Sequence, residues 1–333
     1  GVIIVTSRTG RTGKPRMNVS LSYGLDFPTK IPNHISSAQT ASLLNVALKN
    51  VQSYGSLIPR SEIDEYARPS SRLNTIRYPD NDWFDIVLRN CAQTVNANYN
   101  VSGGSERVKY FLSLGYTHEG SIFRDFSEWD HANFRYDRIN YRSNLDFDVT
   151  KSTKLSVKVG GVLGIRDKPT GASVSGLFNM MYSASPMMYP AYFPAWVLDE
   201  IPDKDYPDAT GDRISSSRTA YFKNVQATLS TGDFDQITDN KLYTDLNLVQ
   251  KLDFITKGLS LKANVSLSTY YSRVSQTAAN PNPSFYIDWE KYDTGEGNPW
   301  IYSAASDVVF EQTPYAVTRG SMENTYYATF YWE

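Results

Sequence analysis

The chain has 333 residues, a formal net charge of −2 and an aromatic content of 14%, with 24 Tyr residues. The near balance of charge argues against a nucleic-acid-binding protein, which usually carries a basic excess. The single cysteine, Cys91, excludes an internal disulfide framework and a zinc site built from cysteines. No run of about 18 apolar residues is present, so the sequence predicts no transmembrane helix.

Alternation of apolar and polar residues is the dominant pattern along the chain, and it predicts eight β-strands. In the first of them, Met17, Val19 and Leu21 share one face. The predicted strands cover residues 17–23, 95–101, 108–116, 138–149, 155–165, 242–252, 259–271 and 325–332. The opening GVIIV is interpreted as one further strand, and residues 36–51 and 172–182 are predicted to form helices in the long connections.

The connections between the predicted strands alternate between short and long. Short turns are expected at residues 103–105, 150–154 and 255–258, and the other connections are much longer. A soluble β-sandwich also carries apolar residues on one face, but it has no reason to keep every second connection short. In outer-membrane barrels the short turns face the periplasm and the long loops face outwards. The two-sided loop lengths therefore favour a membrane barrel.

Tyrosine and charge placement support the same interpretation. Tyr23, Tyr116 and Tyr271 end the apolar faces of three strands, as expected of an aromatic girdle at a membrane interface. Arg138 and Asp146 would then lie on a wet lumen side, where a charge is not desolvated. We predict an all-β fold, namely part of an antiparallel transmembrane β-barrel with long extracellular loops that carry short helices.

Several segments carry motifs of one known family. The most specific is NVSGGSERVKYFLSLGYTHEGSIF over residues 100–123, whose Ser-Gly-Gly turn and aromatic strand resemble the SusC/RagA-like TonB-dependent transporters. The opening GVIIVTSRTGRTGKPRM, the stretch YPDNDWFDIVLRN and the run NFRYDRINYRSNLDFDVTKSTKLSVKVGG are similar to the family as well. The resemblance is weaker over residues 210–240 and after residue 293.

This resemblance implies a bacterial outer-membrane importer whose barrel has about 22 strands and a plugged lumen. Residues 1–14 would be the end of the plug domain and a hinge, and residues 15–333 would be the N-terminal part of the barrel. Import would depend on the TonB complex, a SusD-like surface lipoprotein would cap the barrel, and the cargo would be a glycan or a peptide. Outer-membrane lipid would surround the protein, and no cofactor is implied.

Two other functions remain open on the residues alone. One is a passive porin-like channel, and the other is an outer-membrane enzyme with its site on the barrel rim. The enzyme needs a nucleophile, a base and an orienting acid that meet, and the sequence offers no such set and no Gly-x-Ser-x-Gly motif. We therefore expect no catalytic residues.

The basic segment near the start superficially resembles a phosphate-binding loop. A Walker A motif needs Gly where Arg8 stands and Ser or Thr where Pro15 stands, and it needs a helix afterwards. The segment is instead interpreted as a hinge between plug and barrel, with Arg8, Arg11 and Lys14 as its basic residues.

Acidic residues cluster in two of the predicted loops. The clusters are Asp80, Asp82 and Asp85, and Asp203, Asp205, Asp208 and Asp212. Neither has the spacing of a calcium-binding EF-hand loop, so we interpret both as solvated carboxylates. His34, His118 and His131 lack metal-ligand spacing, and no metal site is predicted.

Aromatic residues in the last long loop are the best candidates for ligand contact. They are Trp289, Tyr292, Trp300 and Tyr302, with Asp288 and Glu290 nearby. Aromatic faces beside carboxylates suit sugar binding, but exposed apolar residues mark partner interfaces equally well. The sequence favours a packed loop or a docking surface for the partner lipoprotein over a sugar site.

Overall fold

A computed structural model describes residues 8–127, 130–216, 224–230, 232–278, 284–302 and 315–332. The predicted GVIIV strand lies outside these residues. Within the described residues twelve strands are present: β1 (Gly13–Asp26), β2 (Ala92–Gly104), β3 (Val108–Glu119), β4 (Arg135–Asp148), β5 (Thr153–Pro169), β6 (Tyr192–Phe193), β7 (Arg213–Ile214), β8 (Phe234–Lys251), β9 (Ser260–Ala278), β10 (Phe285–Ile287), β11 (Trp300–Tyr302) and β12 (Tyr315–Trp332).

Eight of these strands form one antiparallel sheet in the order β1-β2-β3-β4-β5-β8-β9-β12. Every one of the eight predicted strands is found in it, usually with a few more residues at each end. The order follows the chain because each strand returns beside its predecessor. The predicted all-β antiparallel fold is confirmed.

The two faces of this sheet differ in polarity along its whole width. On one face, Val19 pairs with Tyr99, which pairs with Leu114, and the row continues to Tyr141. We call this the apolar face. On the other face the equivalent row starts at Ser20 and passes through Asn98, Gly115 and Asn140, and we call it the polar face. A one-residue shift in any pairing would exchange the faces, so the alternation in sequence fixes the register.

The apolar face has the height that a membrane requires. Along β5 its side chains run from Leu155 to Ile165, which is about 33 Å at about 3.3 Å per residue. The strand tilt of about 40° that is usual in barrels reduces this to about 25 Å, the height of their apolar band. Leu21 and Leu114 on this face are 75% and 51% exposed, so this surface is not the core of a soluble domain.

Tyrosine rings cover glycines that lie opposite them in the sheet. A Cβ atom added to Gly160 would lie 2.6 Å from the ring of Tyr243 on the polar face. On the apolar face the ring of Tyr141 covers Gly161, and that of Tyr110 covers Gly103. Such pairs fill the gap left by a residue without a side chain and help to fix the strand register.

Helices occur only in the connections, within the described part of the chain. They are α1 (Ser37–Asn50), α2 (Arg60–Ala67), α3 (Asn74–Arg77), α4 (Trp83–Val87), α5 (Val174–Ser183), α6 (Trp196–Glu200), α7 (Val225–Leu229) and α8 (Trp289–Thr294). Both predicted helices are confirmed, as α1 and α5. Ser36 caps α1 in a capping box with Gln39, which explains why the helix begins there. None of the described helices is long and apolar enough to cross a membrane.

The connections are short at one end of the sheet and long at the other, as predicted. We call these the turn end and the loop end. The described residues of the long connections are 27–91, 120–127, 130–134, 170–216, 224–230, 232–233 and 284–302, and together we call them the loop layer. The buried apolar side chains of the described residues lie almost entirely in this layer, and those on the large sheet are Phe111 and, at the loop end of β5, Pro169.

Candidate functional site: the loop layer and the polar face of the sheet

The loop layer has two apolar cores, each built from more than one connection. The first joins Trp83 and Phe84 of α4 to Leu177 and Met181 of α5 and to Phe123. The indole nitrogen of Trp83 donates a hydrogen bond to the carbonyl oxygen of Ser185 at 3.0 Å, and the Asn81 amide donates to the carbonyl of Tyr189 at 2.7 Å. These bonds tie the first connection to the third.

The second core lies around the two small hairpins of the layer. It is formed by the buried residues Ile76, Phe193, Val197, Ile201, Phe285, Ile287 and Trp300. Trp300 is 2% exposed, and its indole nitrogen donates to the carbonyl oxygen of Ile201 at 2.8 Å. The loop layer is therefore a packed body in which the connections hold one another.

A buried ion pair stands beside the second core. Arg213 Nη1 lies 2.7 Å from Asp203 Oδ2, and the two side chains are 5% and 0% exposed. The Arg213 guanidinium packs against two aromatic rings, 4.5 Å from the centre of Phe285 and 4.6 Å from that of Trp300. A cation over an aromatic ring is stabilised by the quadrupole of that ring.

Asp203 is held ionised by its neighbours. The Tyr302 hydroxyl and the Asn298 amide donate hydrogen bonds to its carboxylate at 2.6 and 2.8 Å. Burial alone would raise the pKa of Asp203, but the hydrogen bonds from Tyr302, Arg213 and Asn298 lower it below its ordinary value of 3.8. The interpretation of Asp203 as a solvated carboxylate is therefore wrong, because the residue is only 3% exposed.

Other members of the acidic clusters also have local structural partners. Asp80 accepts hydrogen bonds from the backbone of Ser37 at 2.7 Å and contacts His34 at 3.0 Å. Asp82 caps α4, and Asp212 accepts from the backbone of Ala195. Within the described ranges no group of three or more His, Cys, Asp or Glu side chains is arranged to hold a metal ion.

The four aromatic residues of the predicted ligand-binding or partner-docking loop occupy two environments. Trp300 lies inside the second core, and Tyr302 packs on Phe285 with ring centres 5.2 Å apart. Burial and the Asp203 carboxylate raise the pKa of Tyr302. Trp289 and Tyr292 lie on α8, which has no buried residue. Ligand contact remains a prediction for this second pair.

A salt bridge between Arg77 and Asp293 holds a cation over the ring of Trp289. The Arg77 guanidinium lies 5.2 Å from the centre of the Trp289 ring and donates two hydrogen bonds to Asp293 at 2.8 and 2.7 Å. The hydrogen bonds from Arg77 lower the pKa of Asp293. The pair joins the first long connection to the last one.

The polar face of the sheet is a hydrogen-bonded wall. Asp239 accepts from the hydroxyls of Tyr270 and Ser272 at 2.9 and 2.7 Å, and Thr117 donates to Asn96 at 2.9 Å. Strands that turn such a wall towards a lumen can let hydrated solutes pass, because no buried charge has to be desolvated.

The basic segment before β1 lies against this wall. The Asn144 amide donates to the carbonyl oxygen of Arg8 at 2.5 Å. A Cβ atom added to Gly10 would lie 2.5 Å from the carbonyl oxygen of Tyr110 and 2.7 Å from that of Gly103, so only glycine allows this approach. Of the three predicted hinge residues, Arg8 and Arg11 belong to this segment, whereas Lys14 is already part of β1.

Part of the sequence is similar to that of known TonB-dependent receptors. No family model matches the chain. TonB-dependent receptor P26 of Formosa agariphila is 27% identical over 162 residues, which are 48% of this chain and 14% of the receptor. TonB-dependent receptor P3 of the same organism is 27% identical over 170 residues, which are 50% of this chain and 14% of that receptor. The match therefore spans a small part of these relatives.

Solved structures of a RagAB importer share the fold. The open-open state of the RagAB peptide importer matches with a TM-score of 0.53 and 14% identity, over 81% of this chain and 29% of the other. A structure of the RagAB peptide transporter matches with a TM-score of 0.52 and 14% identity, over 98% of this chain and 41% of the other. The predicted resemblance is confirmed at this level: the sequence is similar to TonB-dependent receptors, and the fold is that of the RagAB structures.

The SusC/RagA-like relationship accounts for features that the sheet alone leaves open. The predicted outer-membrane location is confirmed by the similarity to TonB-dependent receptors, and the fold match is consistent with a sheet that forms part of a barrel. Sequence reasoning missed Arg213 and its contact with two aromatic rings, because the small hairpins that create this contact are too short to leave a periodic signal.

Proposed function

We propose that this protein takes part in TonB-dependent import of a bulky nutrient, an oligosaccharide or a peptide, across the bacterial outer membrane. The observation that carries the proposal is the sequence relationship to two TonB-dependent receptors. The relatives are named receptors, importers or transporters, which favours transport over catalysis. The polar face suits the lumen of such a barrel.

The division of the chain follows from the same proposal. Residues 1–14 would be the end of a plug domain and its hinge, and residues 15–333 the N-terminal part of the barrel. The contact between Gly10 and the backbone of β2 and β3 supports a fixed anchoring point for such a hinge. Arg8, Arg11 and Lys14 would remain at the wall while a plug domain moves.

A SusD-like lipoprotein is the partner that we propose for the loop layer. On α1, Leu43 and Val46 are 61% and 55% exposed, and Tyr54 after the helix is 63% exposed. Apolar surface of this kind on an extracellular layer favours a protein partner. Trp289 and Tyr292 offer aromatic surface for cargo at the same end of the sheet.

Uptake measurements in the native bacterium test the import function. The wild-type strain and a strain without this gene would be given a labelled mixture of tryptic peptides or a labelled mixture of plant oligosaccharides. Import predicts that uptake of one mixture is lost in the deletion strain and also in a strain whose TonB is inactivated. A passive porin-like channel predicts uptake that does not depend on TonB.

The same cultures test the enzyme alternative. An outer-membrane enzyme predicts cleavage products in the medium of the wild type that are absent from the medium of the deletion strain. An importer predicts the same products in both media, with more labelled material left outside the cells of the deletion strain. Uptake that persists unchanged in the deletion strain, for both mixtures, would contradict the proposal.

A further inference from the structure

The apolar residues of the apolar face shift towards the turn end from β1 to β8. The row of paired residues that starts at Val19 on β1 reaches Leu242 on β8. On β1 the apolar residues of this face run from Met17 to Leu25, mostly on the loop side of the row. On β8 and just after it they run from Leu242 to Leu252, entirely on the turn side. The apolar stretch therefore crosses the sheet diagonally.

This shift gives the angle between the strands and the membrane. The middle of the apolar stretch moves by about seven residues over the five steps from β1 to β8, which is about 4.6 Å along the strands for each step. Because neighbouring strands lie about 4.8 Å apart, a level membrane then requires a strand tilt of about 45°. Strands of outer-membrane barrels are tilted by about 35–45°. The diagonal thus follows a flat bilayer around a tilted sheet.

The turn between β8 and β9 lies where this diagonal reaches the turn end. Leu252 and Leu259 close the hairpin on the apolar face, with the backbone nitrogen of Leu252 bonded to the carbonyl oxygen of Leu259 at 2.8 Å. In the turn, Phe254 and Ile255 are 78% and 63% exposed. The nitrogen of Ile255 donates to the carbonyl of Leu252 at 2.8 Å, and residues three apart in such a helical turn lie on one side. Ile255 therefore continues the apolar face beyond the strands.

The other two short turns are polar. Residues 105–107 are Ser-Glu-Arg and residues 150–152 are Thr-Lys-Ser. The second of these adjoins the β8–β9 turn, since the nitrogen of Lys251 donates to the carbonyl of Ser152 at 2.8 Å. Two large apolar side chains on one of three comparable turns are thus a property of that turn. Exposed apolar surface of this kind marks a contact with a membrane or a protein.

Other parts of a barrel would not cover the lipid side of this turn. Further strands would pair with the edges of the sheet, which are β1 and β12. The β8–β9 hairpin is not at an edge, because β8 pairs with β5 and β9 pairs with β12. A plug would lie on the polar face. The exposure of Phe254 and Ile255 is therefore not created by a missing strand or plug.

We propose that the turn of residues 253–258 is anchored in the periplasmic leaflet of the outer membrane, with Phe254 and Ile255 at the boundary between phospholipid headgroups and acyl chains. Their continuity with the lipid-facing surface of the hairpin favours lipid over a protein partner. Lys257 is exposed in the same turn. Its amine can reach lipid phosphates while its alkyl chain lies along apolar surface. The anchor fixes the height of this hairpin in the bilayer.

Photo-crosslinking in isolated outer membranes identifies what the turn contacts. Phe254 of the full-length protein is replaced by benzoylphenylalanine, and Lys151 of the polar turn is replaced in a control protein. After irradiation, mass spectrometry of tryptic peptides detects the adducts, and position 254 lies in the peptide of residues 252–257. Phospholipid adducts at position 254 should be at least five times as abundant as at position 151. A protein adduct at position 254, or equal lipid adducts at both positions, would overturn the proposal.

Substitution measures the contribution of the anchor. The double variant Phe254→Ser/Ile255→Ser should raise the equilibrium constant for urea unfolding in phospholipid vesicles at least tenfold, because two apolar side chains no longer enter lipid. Lys151→Ser in the polar turn should leave it within twofold. Heat-resistant migration on a gel reports that each protein is folded. A folded double variant that unfolds as the wild type does would show that the turn is not anchored.

Neither measurement depends on transport, so the outcomes separate the anchor from the import function. Lipid adducts at position 254 in a protein without uptake activity would support the anchor and remove import. TonB-dependent uptake by a protein whose turn forms no lipid adducts would leave import standing and overturn the anchor.

Discussion

The large sheet and the loop layer are built for different surroundings, although one chain forms both. In the sheet the apolar side chains point away from the protein, and Leu21 is 75% exposed. In the loop layer many of them point inwards to two cores, and Trp300 and Leu177 are 2% and 1% exposed. Backbone hydrogen bonds between paired strands stabilise the sheet, whereas apolar cores and a buried ion pair stabilise the loop layer.

This contrast shows where an extra charge or a lost contact should matter. In the loop layer substitutions should destabilise most at buried positions, as in a soluble domain. Removal of one residue of a buried ion pair leaves the other charge buried without a partner, which is strongly destabilising. In the sheet the sensitive positions depend on the face, because only the apolar face must avoid charge. Substitutions can therefore separate the two regions.

The largest effect is expected from Arg213→Ala in the loop layer. The change leaves Asp203 buried without its cation, which should cost about 3–5 kcal/mol of local stability. Amide hydrogen exchange over residues 193–214 should accelerate in the full-length protein, while the sheet keeps its protection.

Arg60→Ala is the matched control for this change. Arg60 pairs with Asp64 on the surface of α2, with side chains 81% and 59% exposed, so its loss should cost about 0.5 kcal/mol or less. Equal exchange in the Arg213→Ala and Arg60→Ala proteins would show that the buried pair does not stabilise the layer.

The second prediction compares two neighbouring residues of β9. Leu267 lies on the apolar face, opposite Thr244 and Tyr326, and Ser268 lies on the polar face, opposite Tyr243 and Thr325. Leu267→Arg should destabilise the sheet by about 2–4 kcal/mol, because a charge near the middle of the bilayer is costly.

Ser268→Arg should cost less than about 1 kcal/mol, since its side chain enters the wet side. Urea unfolding of the full-length protein in lipid vesicles measures both. A larger loss for Ser268→Arg than for Leu267→Arg would mean that the two faces have been assigned the wrong way round.

A smaller effect is expected where the sheet is tightly packed. Gly160→Ala places a methyl group 2.6 Å from the ring of Tyr243, and overpacking of this kind costs about 1–3 kcal/mol. Gly55→Ala is the control, because nothing lies within 4 Å of the added atom. The double variant Gly160→Ala/Tyr243→Ala should recover part of the loss in the same unfolding measurement. A loss in Gly160→Ala no larger than that in Gly55→Ala would contradict the packing argument.

Strand positions were predictable from sequence because the period of two is repeated over the height of a membrane. The residues at which strands begin at the loop end were less predictable. The sequence predicts that β8 begins at Leu242, but the strand begins at Phe234. The prediction missed these residues because Asn240 and Thr238 are polar residues on the apolar face and break the alternation. Above the level of the lipid a strand no longer needs apolar residues there, and the alternation stops before the strand does.

The contacts in the loop layer were beyond sequence reasoning for a different reason. Asp203 was interpreted as one solvated carboxylate among several, and Trp300 was a candidate for ligand contact. The partner of Asp203 is ten residues away, in β7, and it arrives there because β7 pairs with β6. Such pairings depend on which loops pack together, and a local pattern of residues does not predict that packing.

The smallest expected effect concerns the salt bridge that joins the first and last connections of the loop layer. Asp293→Asn removes the partner of Arg77, whose side chain is 29% exposed against 49% for Asp293, so the loss should be about 0.5–1 kcal/mol. Because Arg77 lowers the pKa of Asp293, the folded layer favours the ionised carboxylate. This contribution is present above the ordinary pKa of 3.8 and is lost as pH falls through the lower pKa of the folded state. At neutral pH α8 of the wild type should resist cleavage by thermolysin better than α8 of Asp293→Asn. In acid, where pepsin is the protease, the two proteins should be cleaved at α8 equally fast. An advantage that grows as the pH falls would contradict the ion pair, and it would leave the packing of Trp289 as the contact that holds α8.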